Sequence, residues 1–87
     1  MKNQVVIEGK VYRIIEGDEK TFVGIETNYE KNGKKFDNYI LVNFSSLHNE
    51  RFKEIKANDV ILITGFLYYD SPAETEYLYA ESFEILK

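Results

Sequence analysis

Hydrophobic and polar residues alternate along most of this chain, and the alternation predicts five strands and one helix. Over residues 4–15, Val5, Ile7 and Val11 share one face, while Glu8, Lys10 and Tyr12 share the other. Gly9 interrupts that run, where a bulge or sharp bend in a strongly curved sheet is expected. Glu16-Gly17-Asp18-Glu19 reads as a turn and residues 21–29 as a second strand. Asn32-Gly33 is the strongest short hairpin signal, since both residues tolerate positive φ. In the third strand, residues 36–45, Ile40, Val42 and Phe44 alternate with Tyr39, Leu41 and Asn43. Residues 47–56 are rich in helix formers and follow Ser45-Ser46, both good N-caps. His48, Phe52 and Ile55 would form a narrow apolar stripe on that helix, and Asn58-Asp59 would stop it. Residues 60–69 and 76–86 give the last two strands, separated by Asp70-Ser71-Pro72-Ala73.

Three strands, a short helix and two further strands in 87 residues make one domain over 1–87, all-β apart from that helix. Five strands are too few for a large sandwich. A long bent first strand, a glycine (Gly65) in the fourth and a helix between strands three and four describe the OB-fold, a five-stranded Greek-key barrel with the helix plugging one end. An α+β roll with the helix across an antiparallel sheet is the rival arrangement.

Composition narrows the chemistry. There are no cysteines and one histidine, so disulfides, thiolate zinc sites, thiol nucleophiles and paired-histidine metal sites are excluded. No run approaches the length of a membrane span, and the first residues lack a signal-peptide core. These facts fit a cytoplasmic protein. Ser45 or Ser46 with the adjacent His48 does not make a triad, the alternating Glu74, Glu76, Glu81 and Glu84 read as a solvated strand face, and no glycine-rich phosphate loop precedes a helix. The expectation is a non-enzyme without metal, cofactor or small-molecule substrate.

The net charge is −4 and unevenly spread. Residues 1–43 carry seven charges of each sign, and residues 44–87 carry four basic and eight acidic ones. A strongly basic nucleic-acid binder is excluded, but a local basic patch is not. Seven Tyr and six Phe are more rings than so small a core holds, so some are expected at the surface, where bases could stack.

Several segments resemble bacterial and phage single-stranded DNA-binding proteins. Val5-Val6-Ile7-Glu8-Gly9-Lys10-Val11 is similar to their opening strand, with apolar residues leading to a Gly and a basic residue. Val23-Gly24-Ile25-Glu26-Thr27-Asn28 looks like their second strand, and Asp37-Asn38-Tyr39-Ile40-Leu41-Val42 like their third. The stretch from Phe52 to Gly65 parallels their helix end, turn and fourth strand, and Ala80-Glu81-Ser82-Phe83-Glu84-Ile85-Leu86 their closing strand. The family's tryptophans are missing, as is its acidic C-terminal tail. The resemblance therefore implies an OB-fold binder of a compact phage or mobile-element kind, acting in replication, recombination or repair. It also implies a stacking role for Tyr39.

The candidate site follows from strand parity. Tyr39 lies opposite the Ile40/Val42/Phe44 face, Phe66 and Tyr68 are out of phase with Ile61, Ile63 and Leu67, and Tyr77 and Tyr79 flank Leu78. Tyr29 adjoins Lys31, Lys34 and Lys35, the densest positive patch, and Lys10 and Arg13 on the first strand complete the candidate cations. The expected partner is single-stranded DNA, which the sequence does not separate from RNA. Val5, Val6 and Ile7 form an apolar run on a first strand left partly unpaired, which predicts self-association as a dimer or tetramer. The alternative is a protein–protein module using Val6, Leu62 and Phe66 as contact residues.

Overall fold

The computed structural model describes residues 3–47 and 50–87. Its strands are β1 (Val5–Glu16), β2 (Thr21–Lys31), β3 (Lys34–Asn43), β4 (Val60–Asp70) and β5 (Thr75–Ile85). They close into a ring in the order β1-β2-β3-β5-β4, with β4 returning to β1. Every pairing is antiparallel except β3 with β5. This is the five-stranded connectivity expected from the sequence, with the β2–β3 hairpin running unbroken to a two-residue turn.

Closure depends on β1, which has two partners. Residues 5–10 pair with β4 and residues 10–16 with β2. At the handover Gly9 lies so close to β2 that a side chain would strike Ile25 and the Glu26 carbonyl. The irregularity expected at Gly9 falls instead at Tyr12, where the register with β2 shifts between Val11 and Arg13. The turn before β4 lies beside it. The Val11 N–H donates to the Asp59 carbonyl and the Asn58 N–H donates to the Val11 carbonyl, both at 2.8 Å, while Val11 still sits opposite Ile25 of β2. Asn58 sits at φ 76°, a left-handed conformation that Asn tolerates well.

The ring encloses one apolar core. Val11, Val23, Ile25, Val42, Phe44, Ile61 and Ile63 are fully buried there, which confirms the inward parity read for β3 and β4. Val5 and Ile7 pack against the core from β1, while Val6 between them is 59% exposed.

The predicted helix over 47–56 is not formed. Two 3-10 turns, Ser45–Leu47 and Arg51–Glu54, occupy the connection, and His48 lies outside the described residues. The expected N-caps are engaged elsewhere. Ser45 Oγ accepts the Thr21 N–H at 3.1 Å, and Ser46 Oγ donates to the Ala80 carbonyl at 3.3 Å. Of the apolar stripe, the two buried residues are Phe52 and Ile55, three apart, which suits three residues per turn as well as an α-helical face. They still close one end of the ring, with the Phe52 ring 6.0 Å from Phe44, itself 5.7 Å from Phe83. Replacing Phe52 by Ala is therefore expected to remove about 3–5 kcal/mol of stability in urea denaturation. A loss below about 1 kcal/mol would show that these turns do not plug the core.

Candidate nucleic-acid interface

Because the core takes the inward side of every strand, the outward side inherits the remaining rings. On β3, Tyr39, Leu41 and Asn43 point out in succession, and Tyr39 is 55% exposed. On β4 and β5, Phe66, Tyr68, Tyr77 and Tyr79 are half-buried and face away from Ile61, Ile63, Leu78 and Ala80. The sequence parity placed all five of these aromatic side chains on the correct side.

Four of them belong to one continuous cluster. Phe66 stacks on Tyr79 at 5.2 Å between ring centroids, Tyr79 meets Tyr68 edge-on at 5.6 Å, and Tyr68 lies 6.0 Å from Tyr77. Tyr77 then reaches Phe22 of β2 at 5.4 Å. Phe22 was not among the sequence candidates, although its alternation with Val23 and Ile25 already put it outside. Beneath the rings lies Asn43, only 5% exposed and paired with Phe22 on one side and Tyr79 on the other. Its amide donates to the Tyr68 hydroxyl at 2.8 Å and its Oδ1 accepts the Ser45 N–H at 2.8 Å. That fixes Tyr68 from below and leaves the tops of the rings to the surface.

Tyr39 does not join this cluster by ring contact. Its partner is Tyr12, edge-on at 5.0 Å, a second residue that the sequence reading did not single out. Tyr12 is outward by its alternation with the buried Val11, the bulge leaves Arg13 outward after it, and Gly24 leaves room for the Tyr12 ring, since a Cβ there would fall 2.6 Å from it. Leu41, the next outward residue on β3, links Tyr39 to Asn43 and the main cluster. Tyr29 forms a third group by stacking on Phe36 across the hairpin at 5.3 Å, both rings exposed. Asn32 and Gly33 turn that hairpin with φ of 54° and 78°, so Lys31 faces Lys34 directly and Lys35 faces Glu30.

The charges are set around the rings. Arg13 is exposed beside Gly24, and Lys10 lies opposite Glu26, which offsets its charge. The Glu26 carboxylate, then loss of water, then Asp37 and Tyr12 raise the Tyr39 hydroxyl above the usual tyrosine range, so it stays a neutral phenol. Lys20, also missed in the sequence, donates to Asp70 at 3.3 Å and ties the β1–β2 turn to the end of β4. The hydrogen bond and then the charge of Asp70 raise the Lys20 pKa, with Tyr68 and Tyr77 adding to the effect. Among the described residues no group of three acidic or histidine side chains is arranged to hold a metal.

No protein-family model matches this sequence, and no curated protein matches it either. Solved structures do share the fold. A small single-stranded DNA-binding protein from Mycoplasma pneumoniae superposes with a TM-score of 0.69 at 17% identity, covering 100% of this chain and 94% of the other. Rim1, a mitochondrial single-stranded DNA-binding protein of S. cerevisiae, gives 0.69 at 15% identity, covering 100% and 98%. An OBody bound to hen egg-white lysozyme gives 0.70 at 16% identity, covering 99% and 96%. Likeness at such low identity establishes the fold.

The bed of the main cluster can be tested directly. Asn43→Ala would leave the Tyr68 hydroxyl and the Ser45 N–H without their partner. It is expected to lower stability by about 1–3 kcal/mol in chemical denaturation and to shift tyrosine fluorescence. An unchanged midpoint would mean that Asn43 does not support the ring surface.

Proposed function

We propose that this chain binds single-stranded DNA with little sequence preference, stacking bases on the outer aromatic face and holding phosphates with the cations around it. The observation that carries this reading is the unbroken contact from Phe66 through Tyr79, Tyr68 and Tyr77 to Phe22, on the outside of a sheet whose inner face already has its core. Base stacking on such rings is sequence-tolerant because every base has a π-face. The hairpin supports the same reading. Lys31 directly opposite Lys34 is unfavourable without an anion between them, and a phosphate would relieve it. Lys35, Tyr29 and Phe36 extend that patch, the exposed Arg13 supplies a further cation, Lys10 and Lys20 stand nearby with Glu26 and Asp70 beside them, and Tyr39 with Tyr12 offers a second stacking point.

The role in replication, recombination or repair of a phage or mobile element rests on the sequence resemblance, and a cytoplasmic location rests on the composition. Self-association rests on β1. Residues 5–9 pair with β4 on one edge and have no strand on the other among the described residues, and Val6 stands exposed between the inward Val5 and Ile7. A protein-binding role for the same face is the second reading, favoured by the lysozyme-bound neighbour and by the exposed Val6. Salt separates the two, since phosphate contacts weaken as salt rises and an apolar contact does not.

Fluorescence titration at two salt concentrations is expected to show oligo-dT bound in preference to the matching duplex. Equal affinity for duplex, or no binding to oligo-dT at low salt, would overturn the proposal, and oligo-U in parallel tests DNA against RNA. Tyr39→Ala should weaken binding by about 1–3 kcal/mol with the fold intact. Replacing Lys34 and Lys35 by Gln should reduce the salt slope by about one for each lost phosphate contact. Sedimentation equilibrium is expected to give a mass above that of one chain, and a clean monomer would remove β1 as an association edge.

A further inference from the structure

β3 and β5 are joined by only two residue pairs, Val42 with Leu78 and Asn43 with Tyr79. Toward the mouth of the ring the two strands part, and a cleft of about 420 Å³ fills the gap. Its inner wall is apolar, formed by Ile7, Leu67 and Leu78, and its rims carry Tyr39 and Tyr77. Leu67 has inward parity, beside Leu78, yet is 46% exposed, because it stands in this opening rather than in the core. Among the lining residues Glu76 is the one with an acidic or basic side chain. The volume falls within the range of about 300–1,000 Å³ typical of small-ligand sites.

We infer that this cleft receives a single guanine base of the bound strand, its Watson–Crick edge turned to the Glu76 carboxylate. The inference rests on the single-strand reading above and adds a base preference to it. Two features of the cleft select the occupant. Both of its rims, Tyr39 and Tyr77, belong to the aromatic groups on which bases would stack, so a strand on that face passes the opening. The apolar wall and the single carboxylate disfavour a phosphate inside and favour a flat ligand with paired donors on its edge. An ionised carboxylate only accepts hydrogen bonds. Guanine offers N1–H and N2–H side by side. Thymine offers one N–H between two carbonyls, and cytosine and adenine each set their amino group beside a ring acceptor. Guanine alone gives both carboxylate oxygens a donor.

The test uses a short oligo-dT, the same oligomer with one central dG, and the same oligomer with one central dI, which lacks the N2 amino group. In fluorescence titration the dG oligomer is expected to bind about fivefold tighter than the dI oligomer, the low end for a paired contact because Glu76 is exposed. Glu76→Gln should bring the dG-to-dI ratio to about one, and so should Leu67→Trp, which fills the cleft while keeping the carboxylate. Equal binding of dG and dI by the unaltered chain would overturn the inference, as would a ratio that survives Glu76→Gln, since stacking alone would then explain it. A ratio that survives Leu67→Trp would put the base elsewhere and overturn it too. If Leu67→Trp instead changes the mass in sedimentation, the cleft is a contact between copies and the inference fails. Oligo-dT that does not bind at all would remove the single-strand reading itself. Oligo-dT that binds without a dG-to-dI difference would remove only the guanine site.

Discussion

The exchange of partners along β1 is the constraint on which the rest of the structure depends. A five-stranded sheet closes only if one strand lends its first half to one neighbour and its second half to the other, and here the handover occupies Gly9 and Lys10. Closure commits one face of every strand to a single core, built chiefly from β-branched residues and a few phenylalanines. That interior is too small for the chain's thirteen aromatic rings. The bulge that follows the handover shifts the phase of β1, so that Arg13 stands outward beside Tyr12, whose ring meets Tyr39.

The outer rings do not lie loose. Phe66, Tyr68, Tyr77 and Tyr79 are half-buried against one another, and packing of that kind limits the entropy that side chains can still lose on binding. Asn43 matters most here, because a buried amide with both ends satisfied fixes Tyr68 and the β3–β5 junction together. The charges are arranged in the same spirit. Carboxylates stand beside Tyr39 and at Glu76, while the hairpin lysines and Lys20 stand at the margins. A ligand with an uncharged flat part and a charged edge suits that arrangement better than one charged throughout.

Much of this was legible in the sequence. Period-two alternation gave the five strands and the outward parity of Tyr39, Phe66, Tyr68, Tyr77 and Tyr79, because inside and outside of a closed sheet differ sharply. Asn32-Gly33 gave the hairpin, since positive φ at both positions is a local matter. The failures were tertiary. The helix over 47–56 was replaced by 3-10 turns because Ser45 and Ser46 are bound by Thr21 and Ala80, residues distant in the chain. The bulge lies at Tyr12 rather than Gly9, directly after Val11, whose backbone groups bond the distant turn at Asn58 and Asp59. Phe22 and Tyr12 carried the right parity, but what joins them to the other rings is contact with Tyr77 and Tyr39 on distant strands, which alternation along one strand does not show. Lys20 had no local signal at all, since its meaning comes from Asp70 fifty residues away.

The net charge of −4 and the extensive ring surface together limit how this face can bind. With a net charge of −4, long-range attraction to a polyanion is weak, so affinity would have to come from contact rather than from counterion release. Contact through stacking favours unpaired bases, because a duplex hides its ring faces and presents mainly phosphate. The same balance makes a local preference meaningful. Where electrostatic attraction is small, a single paired contact at the β3–β5 cleft is a larger share of the total than it would be on a strongly basic protein. The opening between β3 and β5, a consequence of how few residues join those strands, is thus the place where a base-stacking surface of this composition would acquire a preference.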